Sequence, residues 1–359
     1  MKYRTLGRTG LKVSEITMGT FTFGGKGPFG MVAEQGVAEA RRLVDLCIDN
    51  GVNLFDTANM YSTGLAEEIL GEVLEGRYSN ILVTSKARMR IGDGPNDEGV
   101  SRWHLIRECE RTLKRLRTDH VDIYYMHEWD GTTPVEEKMA ALDTLIQQGK
   151  IRYAGCSNYS GWHVMKSLAV APSHASRFAT QQIHYSVEAR EAEYELLPLS
   201  VDQGLGVLVW SPLAAGLLSG KHRRGQDAPE GSRQAAGWNE PPIRDMERMW
   251  NIVDVLVAVA EEHNVSAAQI ALAWLLGRPA ISSLVVGGRN EEQFRQNFKA
   301  VDIVLTEDQL QRINDVSRLP LIYPYWHQHN FARDRFSAAD RALHDDYSDR
   351  HYGGDDPLI

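Results

Sequence analysis

Short apolar runs alternate with segments of helical period along the whole chain. The runs cover residues 15–20, 52–57, 81–85, 121–127, 153–157, 180–185, 206–211 and 282–287. Most are continuously apolar rather than alternating, the pattern of parallel strands covered on both faces. Between them, Ala40, Leu43, Val44, Cys47 and Ile48 recur at the spacing of one helix face, and Leu105, Ile106, Cys109, Leu113 and Leu116 trace a second stripe. Helix starts are marked too. Thr133-Pro134-Val135-Glu136 combines an N-cap Thr, a Pro at the first helical position and a capping-box Glu, while Ser266 with Gln269 and Thr306 with Gln309 have the capping spacing. No Pro- or Ser-rich linker divides the chain. Eight strand–helix units in one undivided chain predict an α/β fold, a (β/α)8 TIM barrel, rather than a doubly wound sheet.

Two segments depart from this rhythm. Residues 212–244 are long, Gly/Arg-rich and weakly periodic, which predicts an extended loop between the seventh strand and a helix over 245–264. Residues 318–359 follow the last helical pattern and contain Tyr323-Pro324-Tyr325-Trp326-His327. The chain therefore divides into a single barrel domain, 1–317, and a C-terminal extension, 318–359. In a barrel, long strand-to-helix loops and chain ends near the top face shape the substrate pocket, so the extension is a candidate to fold over the active site. Packing on the barrel exterior or in a subunit contact is the competing reading.

Composition narrows the function classes. The 359 residues carry 39 Lys+Arg against 48 Asp+Glu, a net charge of −9, which argues against a nucleic-acid partner, since such a partner needs a basic surface. No run of about 18 apolar residues occurs, so no membrane-spanning helix is expected. The chain begins without an apolar stretch, so no secretory signal and a cytoplasmic location are the expectations. Cys47, Cys109 and Cys156 are too few and too scattered for a disulfide framework or a metal site, and are expected to be buried small hydrophobes.

One glycine pattern invites a dinucleotide reading. Gly25-Lys26-Gly27-Pro28-Phe29-Gly30 satisfies G-x-G-x-x-G, and Asp56 follows 26 residues after Gly30. Pro28 and the gap before the helical pattern begins near Glu34 nevertheless put these glycines in a loop, not at a helix N-terminus. A lone match of this kind is weak.

The stronger constellation is spread over strand ends. Asp56, Lys86 and His127 each close or follow an apolar run, and Tyr61 lies five residues after Asp56. Barrel active sites are built at such C-terminal strand ends. A tyrosine hydroxyl becomes a usable proton donor if a neighbouring ammonium stabilises its phenolate, a carboxylate can hold that ammonium, and a neutral histidine can orient a carbonyl oxygen. Each residue also has an ordinary reading: Asp56 in an Asx turn, Lys86 as a solvated loop charge, His127 as a satisfied core histidine. Four suitable residues on three strand tops favour the chemical reading.

At this point the motifs resemble a known family. Phe55-Asp56-Thr57-Ala58-Asn59-Met60-Tyr61, the Lys86 and His127 strand ends, Gly155-Cys156-Ser157-Asn158, Gln182-Ile183-His184-Tyr185-Ser186, Trp210-Ser211-Pro212-Leu213 and Gly287-Gly288-Arg289 with Gln293 and Asn297 are similar to the aldo-keto reductase family, in family order from about residue 3 to 317. The opening Tyr3-Arg4-Thr5-Leu6-Gly7 with Gly10-Leu11-Lys12-Val13-Ser14 resembles bacterial members and the potassium-channel β-subunit branch.

The resemblance implies a barrel with an N-terminal β-hairpin and long top-face loops. It implies NADPH bound at the top face without a Rossmann fold, and reduction of aldehydes or ketones. It makes Tyr61 the general acid, with Lys86 and Asp56 lowering its pKa and His127 orienting the carbonyl. Ser157, Asn158 and Gln182 hold the nicotinamide carboxamide on this reading, and Trp210 stacks on its ring. Gly19, Thr20 and Asp56 also border the cofactor. Ser211, Pro212, Leu213, Gly216, Leu218 and Lys221 line the pyrophosphate, and Gly287, Arg289, Gln293 and Asn297 surround the adenosine.

Departures limit the transfer. Many mammalian members carry a Lys-Ser pair where this chain has Gly287-Gly288 and an Arg where it has Gln293, which leaves Arg289 as the partner of a 2′-phosphate and NADH as a less favoured possibility. The channel-associated branch offers an alternative, a redox-sensing NADP(H)-binding subunit of a partner protein. That branch often lacks a histidine at the position of His127. Phe21, Phe23, Trp129, Trp238, Tyr325 and Trp326 are the candidates for a substrate pocket suited to a bulky, sugar-like or polycyclic carbonyl compound, unless they merely pack the loops. The expected partner is a small molecule, with the protein a monomer or homo-oligomer.

Overall fold

The computed structural model describes residues 1–347. A short antiparallel hairpin, β1 (Tyr3–Thr5) and β2 (Lys12–Ser14), precedes eight parallel strands: β3 (Ile16–Gly19), β4 (Leu54–Asp56), β5 (Leu82–Ala87), β6 (Val121–Met126), β7 (Ile151–Ser157), β8 (Thr180–His184), β9 (Gly206–Trp210) and β10 (Ile281–Val286). Each pairs with the next in sequence, and β10 pairs with β3, so the sheet closes into a barrel. The predicted strands and the observed ones coincide run for run. Their continuous apolar character has the expected cause: Ile123, Tyr124, Tyr125 and Met126 of β6 are all buried, alternately in the barrel and beneath the helices.

The outer layer is helical: α1 (Val37–Asp49), α2 (Leu65–Leu74), α3 (Arg102–Leu116), α4 (Val135–Gln147), α5 (Gly161–Ala169) and α6 (Leu196–Gln203). Then come α7 (Met246–His263), α8 (Ala267–Leu276), α9 (Glu291–Phe298) and α10 (Glu307–Ser317). The stripes read from the sequence are the buried faces, with Ala40, Leu43, Val44 and Cys47 of α1 packed inward. Thr306 and Gln309 form the reciprocal box at the start of α10, the Thr306 amide donating to Gln309 Oε1 at 3.0 Å and the Gln309 amide to Thr306 Oγ1 at 3.2 Å. Thr133 does not cap α4, because its hydroxyl is drawn to Asp130 Oδ2 at 2.6 Å and the helix begins after Pro134.

The hairpin seals one end of the barrel. Leu6 and Val13 pack with Leu54, Ile123, Tyr125 and Leu208 in an interior core distinct from the larger one between strands and helices. Gly7 sits at φ +55° against Gly204 and Gly206 at the start of β9, where a Cβ would come within 2.4 Å of backbone. With that end plugged, the free end is the one where the strands finish. No helix among the described residues is long and apolar enough to cross a membrane.

The described part of the extension does not lie over the strand ends. Its helices α11 (Tyr325–Phe331) and α12 (Ala338–His344) dock on the outside, α12 against α6. Tyr325 stacks on Tyr194 with ring centroids 5.6 Å apart, and Leu321, Leu343 and Tyr347 form a small apolar core with Tyr194, Tyr325 and Trp326 packed against it. The physical reason is an ion cluster. Asp346 accepts from Arg190 Nη2 at 2.6 Å and from both Nη atoms of Arg278 at 2.6 and 3.1 Å. Arg278 lies in the turn leading into β10, and Arg190 in the segment between β8 and α6. Residues 348–359 of the extension lie outside the described residues.

Arg190 is fully buried, so Asp346→Ala should destabilise the fold by about 3 kcal/mol, the cost of leaving a buried charge short of its partner, read as a lower urea midpoint at neutral pH. Burial alone would raise the Asp346 carboxyl, but Arg278 and Arg190 outweigh it and hold it below the ordinary carboxylate value. Its contribution is therefore complete above the ordinary range and is lost as pH falls through the depressed value, so the two midpoints should converge in acid. Equal midpoints at neutral pH would remove the cluster as the anchor.

Candidate active site

The strand ends converge on a buried ion pair. Asp56 ends β4 and lies beside β5, in register with Thr84, which places Lys86 one turn of the pleat further along the same edge. Lys86 Nζ donates to Asp56 Oδ2 at 2.6 Å, to the Thr57 carbonyl at 2.9 Å and to Tyr61 Oη at 3.4 Å. All three ammonium protons are thus directed. Asp56 also accepts from the Thr84 hydroxyl and from Gln182 Nε2, the latter at 2.8 Å from across the barrel. Both members of the pair are essentially inaccessible, Lys86 at 0% and Asp56 at 1% exposure. Such burial is tolerable because every polar atom has a partner.

Tyr61 and His127 face this pair. Their rings are 5.9 Å apart in an edge-to-face arrangement, and Phe21 packs edge-on to Tyr61 at 5.3 Å. Burial raises the Tyr61 phenol above its ordinary value; Lys86 pulls it down and Asp56 pushes it up. The carboxylate thus aids a phenolate only through Lys86. Burial lowers Lys86, yet Asp56 and Tyr61 outweigh it and keep the ammonium protonated. Burial, then Lys86 and Arg88, push His127 well below the ordinary imidazole value, so its ring is neutral at physiological pH, and Nδ1 is buried without a partner among the described residues.

A cavity of about 1360 Å³ opens over Asp56, Tyr61 and His127. That exceeds the roughly 300–1,000 Å³ of a single small-molecule site, so two occupants fit side by side. Gly19, Ser157, Asn158, Gln182, Trp210, Ser211, Pro212, Leu213, Gly216, Lys221, Gly287, Arg289, Gln293 and Asn297 all border it. Asn158 is held by donating to the His127 carbonyl and accepting from Trp210 Nε1, both at 3.0 Å. Ser157 Oγ is buried without a partner among the described residues. A Cβ at Gly216 or Gly287 would meet nothing within 4 Å, so both leave open cradle along the wall. Lys221, Arg233 and Arg289 line the same space, and none makes an ion pair among the described residues. An orphaned hydroxyl, open glycine cradles and three cations are what an amide-bearing, polyphosphorylated dinucleotide requires. The residues present fit a nicotinamide cofactor.

Several expected positions fall elsewhere. Thr20 lies behind the cavity, its hydroxyl donating to the Asp56 carbonyl at 3.1 Å, and Leu218 is buried in the core. Phe21 and Trp238 line the cavity and meet edge-on at 5.5 Å. Phe23 does not, because the turn closed by its amide on the Thr20 carbonyl sends the ring into the core. Trp129 is held outside by a stack on His163 at 3.8 Å and by the Lys138 ammonium 3.5 Å from its ring centre. Tyr325 and Trp326 belong to the α6 contact on the barrel exterior.

Arg233 and Gln35 are among the lining residues not expected from the sequence. Arg233, in the long loop, holds its guanidinium 5.3 Å over Phe21, with burial and then Arg289 lowering its basicity. Gln35 donates to the Gly288 carbonyl and accepts from Thr22. Neither sits in a periodic segment, and an Arg in a Gly/Arg-rich loop is the only trace the sequence holds of the first.

Comparisons with known proteins agree with this architecture. The model of the Aldo/keto reductase family matches residues 15–318. The chain is similar to "Uncharacterized oxidoreductase YrpG" of Bacillus subtilis (strain 168), 38% identical over 330 residues, 88% of this chain and 96% of the relative. It is also similar to proteins named "Probable voltage-gated potassium channel subunit beta", one from Arabidopsis thaliana at 36% identity and one from Oryza sativa subsp. japonica at 37%, again covering 88% of this chain and 96% of each relative.

The geometry makes a stability prediction of its own. Asp56→Asn leaves the Lys86 ammonium buried and unpaired, and should cost about 3–5 kcal/mol in urea denaturation. A variant as stable as the parent would mean that Lys86 is already neutral in the folded chain.

Proposed function

Because the chain belongs to the aldo/keto reductase family, we propose that it uses NADPH to reduce a bulky aldehyde or ketone at the cavity over Tyr61 and His127. The observation that carries this reading is the directed contact from Lys86 to Asp56 on one side and to Tyr61 on the other. A lone buried lysine would be a liability; one aimed at a phenol in a cavity is a device for proton transfer.

The bound nicotinamide supplies the hydride. The residues of the chain do the rest. The carbonyl oxygen lies between the Tyr61 hydroxyl and the neutral His127 ring, which fixes its lone pairs. As negative charge develops on that oxygen, Tyr61 delivers its proton. The phenolate left behind is stabilised by Lys86 Nζ, whose charge Asp56 maintains, and is reprotonated from solvent through the cavity mouth. The reverse reaction, alcohol oxidation, uses the same groups with Tyr61 as base. Ser157, the spare lone pair of Asn158 and Gln182 would hold the carboxamide. Lys221, Arg233 and Gly216 would face the diphosphate, and Arg289 the 2′-phosphate. Phe21 and Trp238 wall the substrate side, which suits a sugar-like or polycyclic carbonyl compound. The regulatory-subunit alternative gains no support from this site, where His127 completes the set that reduction needs.

Tyr61→Phe should lower kcat/KM for carbonyl reduction by about 10²-fold or more while leaving the Kd for NADPH unchanged, because only the proton donor is lost. Activity within about tenfold of the parent, measured by NADPH absorbance over a panel of aldehydes, keto-sugars and cyclic ketones, would contradict the role given to Tyr61. For the cofactor, Arg289→Ala should weaken NADPH about tenfold, the loss of one charge-assisted contact, with NADH affected far less. An unchanged preference between the two would transfer the phosphate contact to another residue.

A further inference from the structure

The loop that contains the glycines of the dinucleotide pattern is pressed, through the neighbouring Gly24, against the turn that carries Tyr61. Gly24 and Gly25 adopt φ +103° and +114°. A Cβ on Gly24 would lie 2.7 Å from both the Cβ and the Oγ of Ser62. This close approach lets the Ser62 hydroxyl donate to the Phe23 carbonyl at 2.7 Å and accept from the Gly25 amide at 3.0 Å. Ser62 is completely buried. It also holds a left-handed conformation (φ 47°, ψ 35°), as does Thr63 (φ 57°, ψ 43°), and Gly64 follows at φ +90°. Consecutive left-handed Ser and β-branched Thr are costly and persist only where the surroundings over-determine them.

The turn is fixed from the other side as well. The Asn59 amide donates to the Lys86 carbonyl at 3.2 Å, and its side-chain Nδ2 donates to the buried Glu108 at 3.2 Å. Tyr61 therefore sits between two anchors, Asn59 tied to the Lys86 strand and to α3, and Ser62 tied to the loop after β3. That same loop contributes Phe21, the ring packed edge-on to Tyr61.

We propose that Ser62 is a positioning residue, its hydroxyl clamping the strained turn to the loop after β3 so that the Tyr61 phenol is held at Lys86 and the carbonyl site. The glycine-rich segment then serves the reaction as the surface Ser62 is clamped to, not as a phosphate cradle. The proposal rests on the role of Tyr61 given above. It separates from a merely structural role for Ser62 because loss of the hydroxyl should move the phenol without weakening the cofactor.

The test uses the full chain with Ser62→Ala and with Ser62→Gly, the second of which relieves the left-handed strain while also removing the hydroxyl. Both should lower kcat by about 10- to 100-fold, the range a small misplacement of a reacting group costs, with the Kd for NADPH within about twofold of the parent. With Tyr61 replaced by fluorotyrosine, the fluorine resonance should shift or broaden when Ser62 is changed. Parental kcat in the folded Ser62→Gly protein, or a fall in kcat with an unmoved fluorine resonance, would overturn the proposal. Full activity of Tyr61→Phe would instead remove the reading of Tyr61 itself. In that case the fluorine resonance still decides the clamp: a shift supports it and an unmoved line refutes it.

Discussion

A lysine and an aspartate, both withdrawn from water, set the terms for the rest of the structure. Taking the Lys86 and Asp56 charges out of solvent costs several kcal/mol each, and their attraction offsets this only if every remaining proton and lone pair is used. The barrel supplies those partners. Thr84 comes from the neighbouring strand, Gln182 from across the interior, and the Thr57 carbonyl from the first residue beyond β4. Parallel strands in fixed register can bring such groups together with little freedom to drift, which is why the pair sits where the strands end and not in a loop. A hydrophobic pair of similar volume would give a barrel at least as stable. On the proposed function, the charges serve the phenol beside them.

Much of this was legible along the chain. Strands covered on both faces leave continuous apolar runs, and all eight appear where those runs fall; the polar residue that breaks each run at its end marks the top of the barrel. Asp56, Lys86 and His127 could be found for that reason. Side-chain direction in loops was not legible. Phe21 and Phe23 are two residues apart and would share a face in a strand, but a turn at Thr20 sends one into the cavity and the other into the core. Trp129 was claimed by Lys138 and His163, a contact no local pattern reveals. The described extension docks through Asp346 on two arginines far from it in sequence, a contact that decides for its aromatics between the active-site and the exterior reading in favour of the exterior. Thr133 looked like a cap until Asp130 competed for its hydroxyl.

The net charge of −9 conceals an uneven distribution. Lys221, Arg233 and Arg289 border the cavity, Arg233 over the Phe21 ring that packs on Tyr61, while the neutral His127 and the internally balanced Lys86–Asp56 pair lie at the strand ends. The first arrangement suits a polyanion; the second suits a neutral carbonyl that acquires charge only during reaction.

The central claim is that the buried pair is retained for proton transfer and not for folding. It is tested most directly by measuring thermal stability and NADPH-dependent carbonyl reduction of the double variant Asp56→Asn/Lys86→Met, which removes both charges while keeping an acceptor for Thr84 and Gln182. The expected result is a melting temperature equal to or above that of the parent and a reduction rate lower by about 10²-fold or more. A double variant that fails to fold, or one that folds and reduces carbonyl compounds at the parental rate, would contradict it.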